Sequence, residues 1–125
     1  MKLPVQVEGV VVEGEGRGRR LGFPTANLEL GPGQELPPSG IYAGFAHGRR
    51  AAVSVGVNPH YGGTTPHIEV HLLDFEGGDL YGQRLVVELW QRLRAEAAFE
   101  SEQALLDQIA RDVEAARRAV RPAER

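Results

Sequence analysis

The 125-residue sequence contains no cysteine, which removes disulfide frameworks and thiolate metal sites and suits a reducing compartment. It has no excess of basic charge: the formal net charge is −3. With no aromatic–basic stripe either, general nucleic-acid binding and an RNA-binding barrel are both poorly supported. No apolar run approaches the ~20 residues that span a bilayer, and no charged-then-apolar leader opens the chain. A cytoplasmic protein without a membrane segment is the expectation. The glycine run at residues 14–20 is followed by no Gly-Lys-Ser/Thr and lacks Gly-x-Gly-x-x-Gly spacing, so neither a Walker loop nor a Rossmann fingerprint is present. Internal repeats and low-complexity tracts are absent as well.

Apolar residues make up 42% and charged residues 25%, an ordinary balance for one globular domain of this length. Up to about residue 92, short β-prone runs alternate with glycine and proline. Val5–Val12, Ile41–His47, Ala51–Val57, His67–Phe75 and Leu85–Trp90 read as strands, with loops at Leu30–Ser39 and Asn58–Pro66. Strands this frequent without intervening helices imply an antiparallel barrel. From Ser101 the period changes. Leu105, Ile109, Val113, Ala116 and Val120 recur at helical spacing, Ser101 is a suitable N-cap, and Pro122 helps stop the helix. This amphipathic helix is expected to pack on the barrel.

Two segments carry chemistry. Gly14-Glu-Gly-Arg-Gly-Arg-Arg20 suits an anion, and Pro24-Thr-Ala-Asn27 follows it closely. In extended backbone Thr25 and Asn27 project to one side, roughly 6–7 Å apart, so both oxygens can reach one Mg²⁺. Taken alone, Pro-Thr-x-Asn reads first as turn chemistry, and its adjacency to the glycine–arginine loop is what favours a metal–nucleotide site. The second segment is His67-Ile-Glu-Val-His-Leu-Leu-Asp-Phe75. On a strand, Glu69 shares a face with His67, His71, Leu73 and Phe75, while Ile68, Val70 and Leu72 fill the other. Burial on an apolar face would make Glu69 a stronger base, whereas on a solvated face it needs no role. A zinc site at His67, Glu69 and His71 is rejected, since strand residues four apart are separated by ~13 Å.

The stretch Val7–Asn27 resembles the opening motif of the riboflavin kinase (flavokinase) family. Leu36-Pro-Pro-Ser-Gly-Ile-Tyr-Ala43, Ser54-Val-Gly-Val-Asn-Pro59, Ile68-Glu-Val-His-Leu-Leu-Asp-Phe75, Asp79-Leu-Tyr-Gly82 and Leu93-Arg-Ala-Glu-Ala-Ala-Phe99 follow in the family's order. Six motifs in sequence cover nearly the whole chain. The resemblance implies a mainly β fold, a six-stranded antiparallel Greek-key barrel with a C-terminal α-helix. It implies a kinase that moves the ATP γ-phosphate to the riboflavin 5′-hydroxyl, giving FMN and ADP, with Mg²⁺ required. Glu69 would be the catalytic base, and Thr25 and Asn27 the metal ligands. Gly14, Gly16, Arg17, Gly18, Arg19, Thr25, Leu72, Asp74 and Gly82 would contact nucleotide, and Arg94, Glu96 and Phe99 would contact flavin. From the residues alone, Phe99 packing the helix start under Arg94 is an equal reading. Where similar bacterial proteins have Asn/Arg-Pro-Thr-Phe this chain has Asn58-Pro-His-Tyr61, a departure that leaves the base and metal pair intact. In many bacteria the kinase is joined to an FMN-adenylylating (FAD synthetase) half, which nothing in this sequence resembles. A flavin-binding module without turnover is the alternative reading, and intact Thr25, Asn27 and Glu69 argue against it.

Overall fold

Alternation of apolar and polar residues builds six strands whose inner faces close on one another. The computed structural model describes residues 2–12, 24–31, 33–57, 66–77 and 80–123. The strands are β1 (Val5–Val12), β2 (Ala26–Leu30), β3 (Gly40–Ala46), β4 (Arg49–Val57), β5 (Pro66–Leu72) and β6 (Arg84–Arg94). They form a closed antiparallel barrel in the order β1-β2-β5-β4-β3-β6. β3, β4 and β5 are consecutive neighbours and β6 returns beside β3, which is Greek-key order. Closure leaves no sheet edge among the described residues.

Every second residue points inward. Val7, Leu28, Val53, Ile68, Val70, Val87 and Leu89 belong to one buried interior cluster. Tyr42 joins them at 1% exposure because its hydroxyl donates to the Pro38 carbonyl at 2.6 Å, which satisfies the one polar atom it brings inside. The β3–β4 hairpin turns through His47 and Gly48, whose φ values of 53° and 73° match the twist of a two-residue turn.

Helix α1 (Glu102–Arg118) is capped by Ser101, whose side chain accepts from the Ala104 amide. It packs on the outer wall over β3 and β4. A second apolar cluster of Ala43, Leu73, Trp90, Ala116 and Ala119 fills that interface. The Arg50 guanidinium lies 5.2 Å from the Trp90 ring centroid and donates to the Ala116 and Ala119 carbonyls, placing a cation at the negative end of the helix.

Four sequence expectations are corrected. Ala26–Leu30 is a strand, although Leu30–Ser39 reads as loop from its start and nothing in a five-residue run announces pairing. β5 ends at Leu72 because Leu73 and Asp74 turn, Asp74 with φ 57°. β6 runs on to Arg94, four residues past Trp90, through irregular register with β3. Val120 lies beyond the helix and is 78% exposed; Ala119 takes the buried place instead.

Candidate active site

Antiparallel pairing decides which residues meet. Asn27 on β2 is directly opposite Glu69 on β5, and Glu69 is opposite Ser54 on β4. Val12 pairs with Asn27, Ser54 with Ile41, and Ile41 with Arg94. Because opposed residues project to the same side of a sheet, these six residues form one row on the barrel's outer wall. Their chain neighbours Leu28 and Ile68 point inward, so the β pleat forces Asn27 and Glu69 outward together. Two residues 42 positions apart become cross-strand neighbours with Cβ atoms about 5 Å apart.

Glu69 is not desolvated in the way an apolar face would require: its side chain keeps 41% exposure. Its Oε1 lies 2.9 Å from Nε2 of His67. Asn27 is 9% exposed, with Thr25 half-buried just before β2. Nδ1 of His71 donates to the Pro24 carbonyl at 2.9 Å, which ties the lead-in to Thr25 onto β5. Thr25 and Asn27 offer neutral oxygens, and among the described residues no three His, Cys, Asp or Glu side chains gather as a metal-binding set. Such a donor pair fits Mg²⁺, a hard ion that takes few protein ligands and arrives with substrate phosphates.

The row connects two ends of the barrel. At one end β1 finishes at Val12 and β2 begins at Ala26; Gly14, Gly16, Arg17, Gly18 and Arg19 lie outside the described residues, as does the His60–Tyr61 loop. Gly82 is held at this end, its amide donating to the Val11 carbonyl at 2.9 Å with φ 78°. Leu72 and Asp74 lie toward the same end but are otherwise engaged. The Leu72 side chain is in the interior cluster. The Asp74 carboxylate accepts from Nη1 and Nη2 of Arg117 at 2.7 and 3.2 Å, which holds its pKa below the ordinary 3.8.

At the other end stand Arg94, Glu96 and Phe99. Arg94 donates through Nε and Nη2 to both oxygens of Asp112 on α1, at 2.9 and 2.7 Å. Its guanidinium carbon sits 5.7 Å from the Phe99 ring centroid. The Glu96 carboxylate lies over Gly56: a Cβ built there would meet Oε1 at 2.3 Å. Gly56 pairs with His67, so Glu96 overlies the neighbourhood of the Glu69 strand. Sequence reading missed Asp112, although the signal was present. Asp112 falls within the helix's apolar stripe between Ile109 and Val113, and an aspartate there requires a cation across the interface. Gln108 adds a hydrogen bond to Oδ1 at 3.0 Å.

A family model described as "Flavokinase: Riboflavin kinase" matches residues 1–120. The chain belongs to the riboflavin kinase family. It is similar to human riboflavin kinase, at 37% identity with 93% of this chain and 81% of that protein covered. It is also similar to the bifunctional riboflavin kinase/FMN adenylyltransferase of Pseudomonas fluorescens, at 40% identity with 95% and 39% covered. The corresponding Bacillus subtilis protein is 34% identical, with 87% and 36% covered. The chain therefore spans under two-fifths of these bacterial relatives. Among solved structures, riboflavin kinase from Trypanosoma brucei superposes with TM-score 0.73 at 27% identity, covering 93% of this chain and 79% of that one. The six-stranded barrel with its C-terminal helix is thus the fold of a riboflavin kinase. No helix among the described residues is long and apolar enough to cross a membrane.

Proposed function

We propose that this chain transfers the γ-phosphoryl group of ATP to the 5′-hydroxyl of riboflavin, giving FMN and ADP. The observation that carries the proposal is the opposition of Asn27 and Glu69 across the β2–β5 ladder, which joins a metal-type amide to a carboxylate on one exposed wall. Phosphoryl transfer needs positioning, charge stabilisation and a proton acceptor more than covalent chemistry. Thr25 and Asn27 would hold Mg²⁺, which supplies charge neutralisation at the phosphate oxygens. The loop at 14–20 would bind the phosphates through arginine and backbone amides. Arg94, Glu96 and Phe99, at the far end of the same row, would receive the flavin.

Glu69 accepts the proton of the 5′-hydroxyl as that oxygen forms its bond to the γ-phosphorus and the bond to the ADP oxygen breaks. The proton then passes from Glu69 to solvent. Glu69 is open to water in the free protein, so the substrates themselves complete the enclosure. Incubation with riboflavin and Mg²⁺–ATP, followed by chromatography, should yield FMN. Glu69→Gln keeps the size of the side chain and removes the base; kcat should fall by about 10²–10⁴-fold with the fold intact. Turnover at the parent rate would refute the assignment. The protein would work in the cytoplasm, and the relatives that join a riboflavin kinase to an FMN adenylyltransferase support an adenylyltransferase, on the same or another polypeptide, as the recipient of the FMN.

A further inference from the structure

The base has a partner that no part of the kinase reading assigns. Residues two apart on a strand face the same way with backbones roughly 6–7 Å apart, so contact between their side chains requires both to lean inward along the strand. His67 and Glu69 do this: Nε2, the ring nitrogen farther from the backbone, lies 2.9 Å from Oε1. A glutamate with 41% of its side chain exposed has several rotamers within reach, and fixing one costs rotamer freedom. A proton acceptor is effective only within hydrogen-bond reach of its proton. His67 is the more enclosed of the two, with 24% side-chain exposure, and is therefore the better anchored. Its cross-strand neighbour Gly56 has no side chain, and the Glu96 carboxylate occupies that space. The imidazole is thus set between the base and the end of the row where flavin would enter.

We propose that His67 is a positioning residue for the base: its Nε2–H binds Oε1 of Glu69, holds the carboxylate in one rotamer and leaves the second oxygen to take the hydroxyl proton. The inference rests on the assignment of Glu69 as base. Acting through Glu69, His67 should show its effect in kcat and not in substrate affinity.

The test uses two variants of the full chain. His67→Phe keeps a flat ring of similar volume and strand preference but removes the donor; His67→Gln keeps a donor at about the same reach. His67→Phe should lower kcat by about 10–100-fold, the scale of a misplaced catalytic group, with KM for riboflavin and for Mg²⁺–ATP within about threefold of the parent. His67→Gln should restore most of that loss. In a Glu69→Gln background His67→Phe should add nothing, because no base remains to be positioned. Parent-like kcat in His67→Phe, equal impairment of His67→Gln, or a full additional loss in the Glu69→Gln background would each overturn the proposal while leaving the kinase reading standing. Full turnover in Glu69→Gln alone would remove the base itself, and the proposal with it.

Discussion

Gly56 shows how one missing atom shapes the wall beside the base. Its outward side is filled by the Glu96 carboxylate, which a Cβ would approach to 2.3 Å. Gly56→Ala should therefore push Glu96 aside. Since the clash is with the end of a flexible side chain, stability should change little. The expected result is a raised KM for riboflavin with KM for ATP unmoved, measured by steady-state kinetics on each substrate in turn. Asn27 makes the complementary case at the other side of Glu69. Asn27→Ala removes one neutral oxygen from the metal pair and should raise the Mg²⁺ concentration needed for half-maximal rate by about 10-fold, read from a metal titration at fixed ATP. An unchanged titration would exclude Asn27 as a ligand.

At the scale of elements, the join between α1 and β6 stands on a half-hidden ion pair. Asp112 is 6% exposed and receives two hydrogen bonds from Arg94 and one from Gln108. Asp112→Asn leaves the Arg94 guanidinium facing a neutral amide in a poorly hydrated interface. We expect a loss of about 2–3 kcal/mol in unfolding free energy, less than for a fully buried pair because Arg94 retains 22% side-chain exposure. Denaturant unfolding gives the number directly. Arg94 also stacks on Phe99, so the same variant should weaken riboflavin binding. The element boundaries follow the same logic. Ser101 is legible as a cap because its side chain makes the bond locally, with Ala104. The extension of β6 to Arg94 is not legible, because what sustains it is pairing with Ile41 more than fifty residues away.

For the whole molecule, acid stability should report on the pairs that pin the outer surface. Hydrogen bonding from Arg121, opposed by partial burial and supported by Trp90, holds the Glu88 carboxyl below its ordinary 4.5. Folding lowers this pKa, so the native state favours the ionised form. The stability it contributes is complete above about pH 4.5 and is lost as the pH falls through the native value. Glu88→Gln should cost about 1 kcal/mol near pH 7, as expected for a pair with one well-exposed partner, and the two proteins should converge as the pH falls below the native pKa of Glu88. Thermal midpoints measured across that range test the sign: a gap that widens in acid would contradict it. The barrel itself tolerates such changes because its interior is apolar and closed.

Fold class and family were set by local features: the two-residue period through β1, β4 and β5, the change of period at Ser101, and the six ordered motifs. A period records which way each side chain points relative to its neighbours, and that is a property of the chain alone. Which side chains meet is not. Asn27 and Glu69 became neighbours only when β2 was laid beside β5 and skipped β3 and β4. The same tertiary step gave Arg94 its carboxylate on α1 and brought Glu96 over Gly56 beside His67. Register across strands distant in sequence is set by the packing of all six inner faces at once, so only the folded barrel could decide it.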